Sequence, residues 1–568
     1  MTVDRRSFTM AVLSAAGATY FGKADAVGAQ TPATPAAGAP PLPATPAPAP
    51  LALGNGEPLA SQFQPWPGGT GALLERLVRE RGVAAFARAP HVPPAWSGTM
   101  PAEDEDLAFL PAHRLSALLR ARKLTSTRLT EIYLARLQRL NPTLNCVVTL
   151  LETQALAEAR KADTEIAAGR YRGPLHGVPY GLKDLFSTRG IRTTWGVPDF
   201  KDRVIDEDAE IVVRLRDAGA VLVAKLSTGI FAQNDQWFGG RTNNPWNLSQ
   251  GSSGSSAGPS SAVAAGCVAF AIGTETQGSI VSPAIRCGIT ALRPTFGRVS
   301  RFGGMVLAWS HDRVGPMCRT AEDCAMVFSV LHGVDEKDPS TVTTPFRFDR
   351  RVDLTRLRVG VDPDAPKELV EKLRALGLAP REIGPRPSVP GVGGGNLGVE
   401  SAAAMDAYVQ RKAKETGLDL AALPPTPVPT PQASADNPMA PADWNPRFVN
   451  GRVPRAFDVL QVQRRRQVLV RQWGDFMRDL DMFIGGPSAD VSANAQTGHP
   501  CVVFPYAFGV PPSRPSGARV PNDPPPPVLQ PQPVCATIVG GLYNDDLILA
   551  VAHRFQEATD FHARRPAL

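Results

Sequence analysis

The chain has 568 residues, enough to bury a large core and, at ordinary domain sizes, to form at most three or four domains. Its hydrophobic fraction of 43% is ordinary for a soluble globular protein, and its net charge of +7 comes mainly from scattered arginine. The one dense basic run, Arg464 to Arg466 in QVQRRRQVLVRQW, has no interleaved aromatics; it reads as the solvated face of a helix and argues against nucleic-acid binding.

Residues 1–29 have the architecture of an export signal. Arg5-Arg6 precedes an apolar run from Phe8 to about Phe21, and Val27-Gly28-Ala29 offers small residues for cleavage before Gln30. The Arg-Arg-x-Phe order resembles the twin-arginine signal, which implies a protein exported folded, to the periplasm or the medium. The run is too short and too rich in Ala, Gly, Ser and Thr for a stable membrane span, although a short N-terminal anchor is the alternative. Seven cysteines are dispersed, mostly in apolar contexts such as AAGCVAF, and read as buried small hydrophobes rather than a disulfide framework. No HExxH occurs and the eight histidines are scattered, so no metal is expected.

Residues 30–104 are expected to be a linker and N-terminal extension. Their first part, QTPATPAAGAPPLPATPAPAP, favours a semi-rigid polyproline II tether. Order is expected from near Leu107, and residues 105–568 form the expected folded domain. Leu115, Leu118 and Leu119 mark one amphipathic helix and Leu129, Ile132, Tyr133 and Leu137 a second, capped by Ser126 or Thr127 and ended by Asn141-Pro142. A third helix spans TLLETQALAEARKADTEIAAGR and stops at Gly169. GPLHGVPYGLKDLF reads as a short apolar strand with Lys183 near its end. DAEIVVRLRDAGAVLVAKLS then reads as helix, Gly turn and the strand Val221–Ala224. This alternation predicts an α/β fold with a partly parallel sheet. Residues 380–454 are expected to be Pro-rich surface excursions around one short helix, with a second Pro-rich loop at 509–533. The closing VCATIVGGLYNDDLILAVAHRFQEATDF is a strand and a C-terminal helix.

The serine-rich stretch GSSGSSAGPSSAVAAGCVAFAIGTETQGS, Gly251 to Ser279, resembles a flexible linker at first sight. It leads directly into small and apolar residues suited to a packed helix and a buried strand, which favours a loop that brings backbone N–H groups close to a ligand. Gly254-Ser255-Ser256-Ala257-Gly258 also matches the G-x-S-x-G nucleophile elbow. That motif needs a strand before it, and NPWNLSQGSS is none; it also needs a downstream histidine, whereas His311 and His499 read as structural.

Three blocks, GLKDLF, GSSGSSAGPSSAVAAG and AIGTETQGSIVSPAIRCGITALRPTFGRVSR, resemble in order and spacing the signature blocks of the amidase signature family. LNPTLNCVVTL, RGPLHGVP, NNPWN and NDDLILAVAHRFQEATDFH fit as well, so the resemblance runs from about Leu107 to the C-terminus. It implies a single α/β/α domain with a mixed central sheet covered by helices, no cofactor, and a Ser–cis-Ser–Lys triad. Carried over by position, Ser279 would be the nucleophile, Ser255 the bridging serine after a cis peptide from Gly254, and Lys183 the base. Backbone N–H groups of Thr276, Gln277, Gly278 and Ser279 would form the oxyanion site. The chemistry is coherent: a serine needs a neighbour to take its proton, and a lysine does so near neutral pH only when desolvated or crowded by positive charge. Ser252, Ser253, Ser256, Ser260 and Ser261 are expected to shape the loop and its helix.

The turn departs from the family pattern of Asp-x-Gly-Gly-Ser-Ile-Arg. Glu275 replaces the Asp, Gln277 the first Gly, and Val281 stands where Arg is usual, while Arg286 takes a position usually aromatic; Glu275 is therefore expected to pair with Arg286. The resemblance implies an exported amidase acting on a small-molecule amide, without nucleic acid or a membrane span in the mature chain, with a homodimer left open. The rival readings are an esterase or carbamate hydrolase using the same triad, a relative of the glutamine-hydrolysing component of tRNA-dependent amidotransferase, and a non-catalytic binding protein on the same scaffold.

Overall fold

The computed structural model describes residues 69–423, 446–486, 491–511 and 528–568. The expected signal at 1–29, the Pro/Ala tether up to residue 68 and the centres of both Pro-rich loops lie outside the described residues. Among the described residues, no helix is long and apolar enough to cross a membrane.

Eleven strands form one mixed sheet: β1 (Val147–Leu150), β2 (Pro179–Lys183), β3 (Val221–Leu226), β4 (Phe270–Glu275), β5 (Thr290–Arg293), β6 (Arg313–Cys318), β7 (Val359–Val361), β8 (Arg381–Glu382), β9 (Met482–Gly485), β10 (Cys501–Gly509) and β11 (Gln532–Gly540). Their order is β1-β3-β2-β4-β6-β5-β10-β11-β9-β7-β8. Two parallel pairings, β3 with β2 and β2 with β4, put the end of β2 at the centre of one half of the sheet. β4 then pairs antiparallel with β6, with Glu275 opposite Arg313.

The central strands are buried on both faces, and their side chains divide with the two-residue pleat. Tyr180, Leu182, Leu222, Phe270 and Ile272 join one apolar layer, packed by helices Ala321–Leu331 and Asp545–Glu557. Val221, Val223, Ala271 and Met317 join the other, packed by helices Ala257–Ala264, Val281–Cys287 and Ala456–Phe476. Each fully buried Leu, Ile or Phe in these layers contributes roughly 1.5–3 kcal/mol. The helix Ala257–Ala264 is small and buried at every residue, so it lies close against the sheet and fixes the loop before it. All seven cysteines are buried free thiols.

Several sequence expectations shift. The described chain has a helix at Gly69–Arg81, well before Leu107; Leu73 and Leu77 pack with Tyr543, and Arg81 lies 3.1 Å from Asp546. The helix Ser126–Leu144 continues through Pro142, because a proline in its last turn removes one donor from a carbonyl at the exposed Gln138. Asn145 caps it in the left-handed conformation, and the Asn141 side chain turns to accept from the Cys146 and Val147 N–H groups. Thr125 is its N-cap, not Ser126 or Thr127, whose N–H groups both donate to Asp163. The third helix begins at Glu152, because Val147–Leu150 pairs with β3 as an edge strand. The Pro-rich region holds helices at Leu397–Ala404, Asp406–Thr416 and Pro446–Asn450 rather than one. Arg466 is not on a solvated face: it is buried, and its guanidinium donates to the carbonyls of Gln496 and Ser310.

Candidate active site

Lys183 ends β2 and is fully buried, with Thr274 of the neighbouring β4 at its side. Its Nζ lies 2.8 Å from Ser255 Oγ, 2.8 Å from Thr274 Oγ1 and 3.1 Å from Ser256 Oγ. No carboxylate forms an ion pair with it among the described residues. Burial moves its pKa well below the ordinary lysine value, with Asp312 and Glu275 pulling the other way. The net effect favours a neutral amine, which can accept a proton.

The serines reach the lysine through an irregular loop. β4 is preceded by the helix Ala257–Ala264, and before that the chain passes through Gly251–Ser256 with a cis peptide between Gly254 and Ser255. Gly254 is required there, because a Cβ would stand 1.8 Å from the Asn234 carbonyl oxygen. The Ser256 N–H donates to the Ser279 carbonyl at 3.1 Å, which ties this loop to the turn after β4. Ser256 does more than shape the loop: its Oγ also donates to the Thr274 carbonyl and accepts from the Thr274 N–H.

The turn Thr276–Ser279 runs from β4 into the helix Val281–Cys287. Gly278 is buried at φ 94°, a left-handed conformation that a side chain would strain. Ser279 is half-buried, whereas Gln277 is exposed on the outside of the turn. Glu275 holds the turn from beneath. Its Oε2 accepts from the N–H groups of Ile280 and Val281 at 2.8 and 2.9 Å, and its Oε1 lies 2.8 Å from Arg293 Nη1. Burial works to raise this carboxyl, but Arg293, the Val281 N–H and Arg313 outweigh it and hold it below the usual range.

The expected Glu275–Arg286 pair is therefore wrong. Arg286 lies near the end of its helix, half-buried, and donates to the Gly251 carbonyl at 3.3 Å. Arg293 wins because it ends β5 inside the core, where only an acid beside it compensates a fully buried guanidinium.

The structure adds residues that the sequence did not single out. Thr276 Oγ1 donates to Asp312 at 2.6 Å, and the other oxygen of Asp312 accepts from the Leu307 and Ala308 N–H groups. Burial pushes Asp312 up to about 6 against these hydrogen bonds and Arg301. The only sequence signal would have been register: Arg313 pairs with Glu275 across the antiparallel strands, so Asp312 falls opposite Thr276. His311 lies next door but is a buried structural group, bonded to Ser310 and Gln496. His499 is buried with Thr497 as its partner. Among the described residues, no group of three or more His, Cys, Asp or Glu side chains is placed to hold a metal ion.

A protein-family model described as Amidase matches residues 128–376. The glutamyl-tRNA(Gln) amidotransferase A chain of Methylococcus capsulatus is 34% identical over 495 residues, covering 80% of this chain and 98% of that protein. Among solved structures, the native peptide amidase of Stenotrophomonas maltophilia superimposes with a TM-score of 0.62 at 26% identity, over 80% of this chain and 98% of that one. An amidase family protein from Bacillus anthracis shares the fold with a TM-score of 0.67 at 23% identity, over 82% and 93% of the two chains.

Proposed function

Because the chain belongs to the amidase signature family, we propose that it is an exported amidase that hydrolyses a carbon–nitrogen bond through an acyl-enzyme at Ser279. The observation that carries this reading is the fully buried Lys183 amine, 2.8 Å from Ser255 Oγ and without a carboxylate partner among the described residues. In this reading the Ser279 Oγ–carbon bond forms as its proton passes to Ser255, and Ser255 passes its own proton to neutral Lys183. The relay returns a proton to the leaving amine as the carbon–nitrogen bond breaks, and water then cleaves the ester by the same route. Proton transfer of this kind contributes about 10²–10⁴-fold. The N–H groups of Thr276, Gln277, Gly278 and Ser279 are the proposed oxyanion donors, and losing one such donor typically costs about 3 kcal/mol.

The test is intact-mass measurement of the full chain after treatment with a fluorophosphonate, beside Ser279→Ala. One adduct on the wild type and none on the variant is expected. No adduct on the wild type would turn the reading to a non-catalytic binding protein; an adduct persisting in Ser279→Ala would move the nucleophile, with Ser256 the next candidate. A panel of amides, esters and carbamates then ranks the scissile bond. Export rests on the Arg5-Arg6 pattern and is tested by cell fractionation, with Arg5→Lys plus Arg6→Lys expected to keep the protein in the cytoplasm.

The Methylococcus relative favours a second reading, release of ammonia from glutamine as one component of a complex. Glutamine outranking every other amide in the panel would select it, and an export signal counts against it.

A further inference from the structure

Outside the triad, the chain carries a cavity of about 530 Å³ between the helices Leu397–Ala404 and Ala456–Phe476 and the loop at Trp309. That is within the range of small-molecule sites, which run from about 300 to 1,000 Å³. Two observations relate it to the proposed catalytic turn. Trp309 also lines the small cavity beside Thr274, Thr276 and Asp312, so one indole is common to both spaces. On the other side Asn396 lines the larger cavity, and two residues earlier a Cβ at Gly394 would lie 3.6 Å from Gln277 Oε1.

The wall has two characters. Trp309, Val399, Val459 and Leu460 supply apolar surface, and Leu460 is 58% exposed despite its size. The Trp309 indole N–H is buried with no hydrogen-bond partner among the described residues, an uncommon state for a donor that normally finds an acceptor. Of the charged lining groups, Glu400 is engaged by the Ser310 N–H and hydroxyl, and Arg466 by Ser310 and the Gln496 carbonyl. Arg464 is exposed on the same wall and donates only to Gln461, with no carboxylate ion pair among the described residues. The cavity therefore offers an apolar wall and, on the same wall, an exposed cation without an ion pair among the described residues.

We propose that this cavity receives the acyl part of the substrate, an amide with an apolar body of several carbons that ends in an anionic group. The body packs on Trp309, Val399, Val459 and Leu460, and the distal carboxylate meets Arg464. This rests on the amidase reading above, and it narrows the substrate from amides in general to acidic, extended acyl amides.

The test compares kcat/KM for monoamides of C4 to C10 dicarboxylic acids with n-alkylamides of equal length. The acidic member should win by about three- to fivefold at the favoured length, the size expected of an exposed ion pair. Arg464→Glu should abolish or invert that preference, while Arg471→Glu, on the same helix outside the cavity, should keep it. Leu460→Trp should lower kcat/KM increasingly as the chain lengthens. Calorimetric binding of the dicarboxylic acids themselves to Ser279→Ala gives a readout independent of turnover and should follow the same order. A fluorophosphonate adduct together with no preference for the acidic series, or a preference that Arg464→Glu leaves intact, overturns the cavity assignment and spares the amidase. Binding with the expected Arg464 dependence but no adduct and no turnover does the reverse.

Discussion

Thr276 Oγ1 donates a 2.6 Å hydrogen bond to Asp312, which joins the first residue of the proposed oxyanion turn to a buried carboxyl on the loop before β6. Asp312 is also the first charge that opposes the effect of burial on Lys183. An anion near an amine favours its protonated form, so removing the anion lowers the lysine pKa further. Asp312→Asn can keep the geometry, with the amide oxygen accepting from Leu307 and Ala308 and the NH₂ donating to Thr276. The acid limb of the kcat/KM profile is therefore expected to move to lower pH in this variant. A limb that stays in place or moves upward would show that Asp312 does not set the charge state of Lys183.

Lys183 itself separates function from stability. Its amine is fully buried, and burial is the largest influence on its pKa. Lys183→Met keeps the length and removes a costly desolvated group, leaving Ser255 and Thr274 to bond each other or a water. Activity should fall by at least about 10²–10⁴-fold, the usual range for a lost acid–base group. The melting temperature should hold or rise. A variant that loses both together would make Lys183 a structural residue.

That Lys183, the loop at Ser255 and the turn at Ser279 would come together was legible in the sequence because their blocks are local, and the strand–helix–strand alternation around them was legible because both layers of the sheet draw on a two-residue apolar period. The contacts around these three residues were not. Asp312 meets Thr276 across an antiparallel pairing between strands separated by nearly forty residues, and Arg293 reaches Glu275 past an intervening strand. Charge alone made Arg286 as good a partner for Glu275 as Arg293; burial decided between them, and burial depends on which strand lies at the centre. Arg466 failed in the same way, since a basic run on a helix does not reveal that one of its members faces inward. The helix Gly69–Arg81 was missed because it falls in the stretch that reads as an extension after the Pro/Ala tether, and its support comes from Tyr543 and Asp546, at the far end of the chain.

The Glu275–Arg293 pair predicts where stability resides in this half of the sheet. Both side chains are fully buried, and Glu275 also closes two backbone N–H groups of the turn. Removing one partner of such a pair leaves an uncompensated buried charge and costs about 3–5 kcal/mol. Arg293→Met is expected to show a loss of that order in urea unfolding, whereas Arg286→Ala should change stability by less than about 1 kcal/mol, as for a single backbone hydrogen bond. The sign with pH follows from the lowered Glu275 pKa. Its contribution is present above the ordinary carboxylate value and is lost as the pH falls through the lower folded value. Wild type should thus lose more stability on acidification than Arg293→Met, and equal acid sensitivity would contradict the assignment.

Gln277 is the departure from the family pattern with the most direct bearing on specificity. It is exposed on the turn, and its Oε1 lies 3.6 Å from the position a Cβ at Gly394 would take, so its side chain extends toward the Gly-rich loop before the helix Leu397–Ala404. A side chain there fills space between the turn and that loop, whereas glycine would leave it empty. Gln277→Gly should therefore raise kcat/KM for amides with a bulky acyl group, such as benzamide, relative to acetamide. A change of about tenfold is expected, the low end of what one methylene of space is worth. The added backbone freedom of glycine should cost up to about 1 kcal/mol of stability. A ratio that does not move, or that moves toward acetamide, would place Gln277 outside the path of the acyl group.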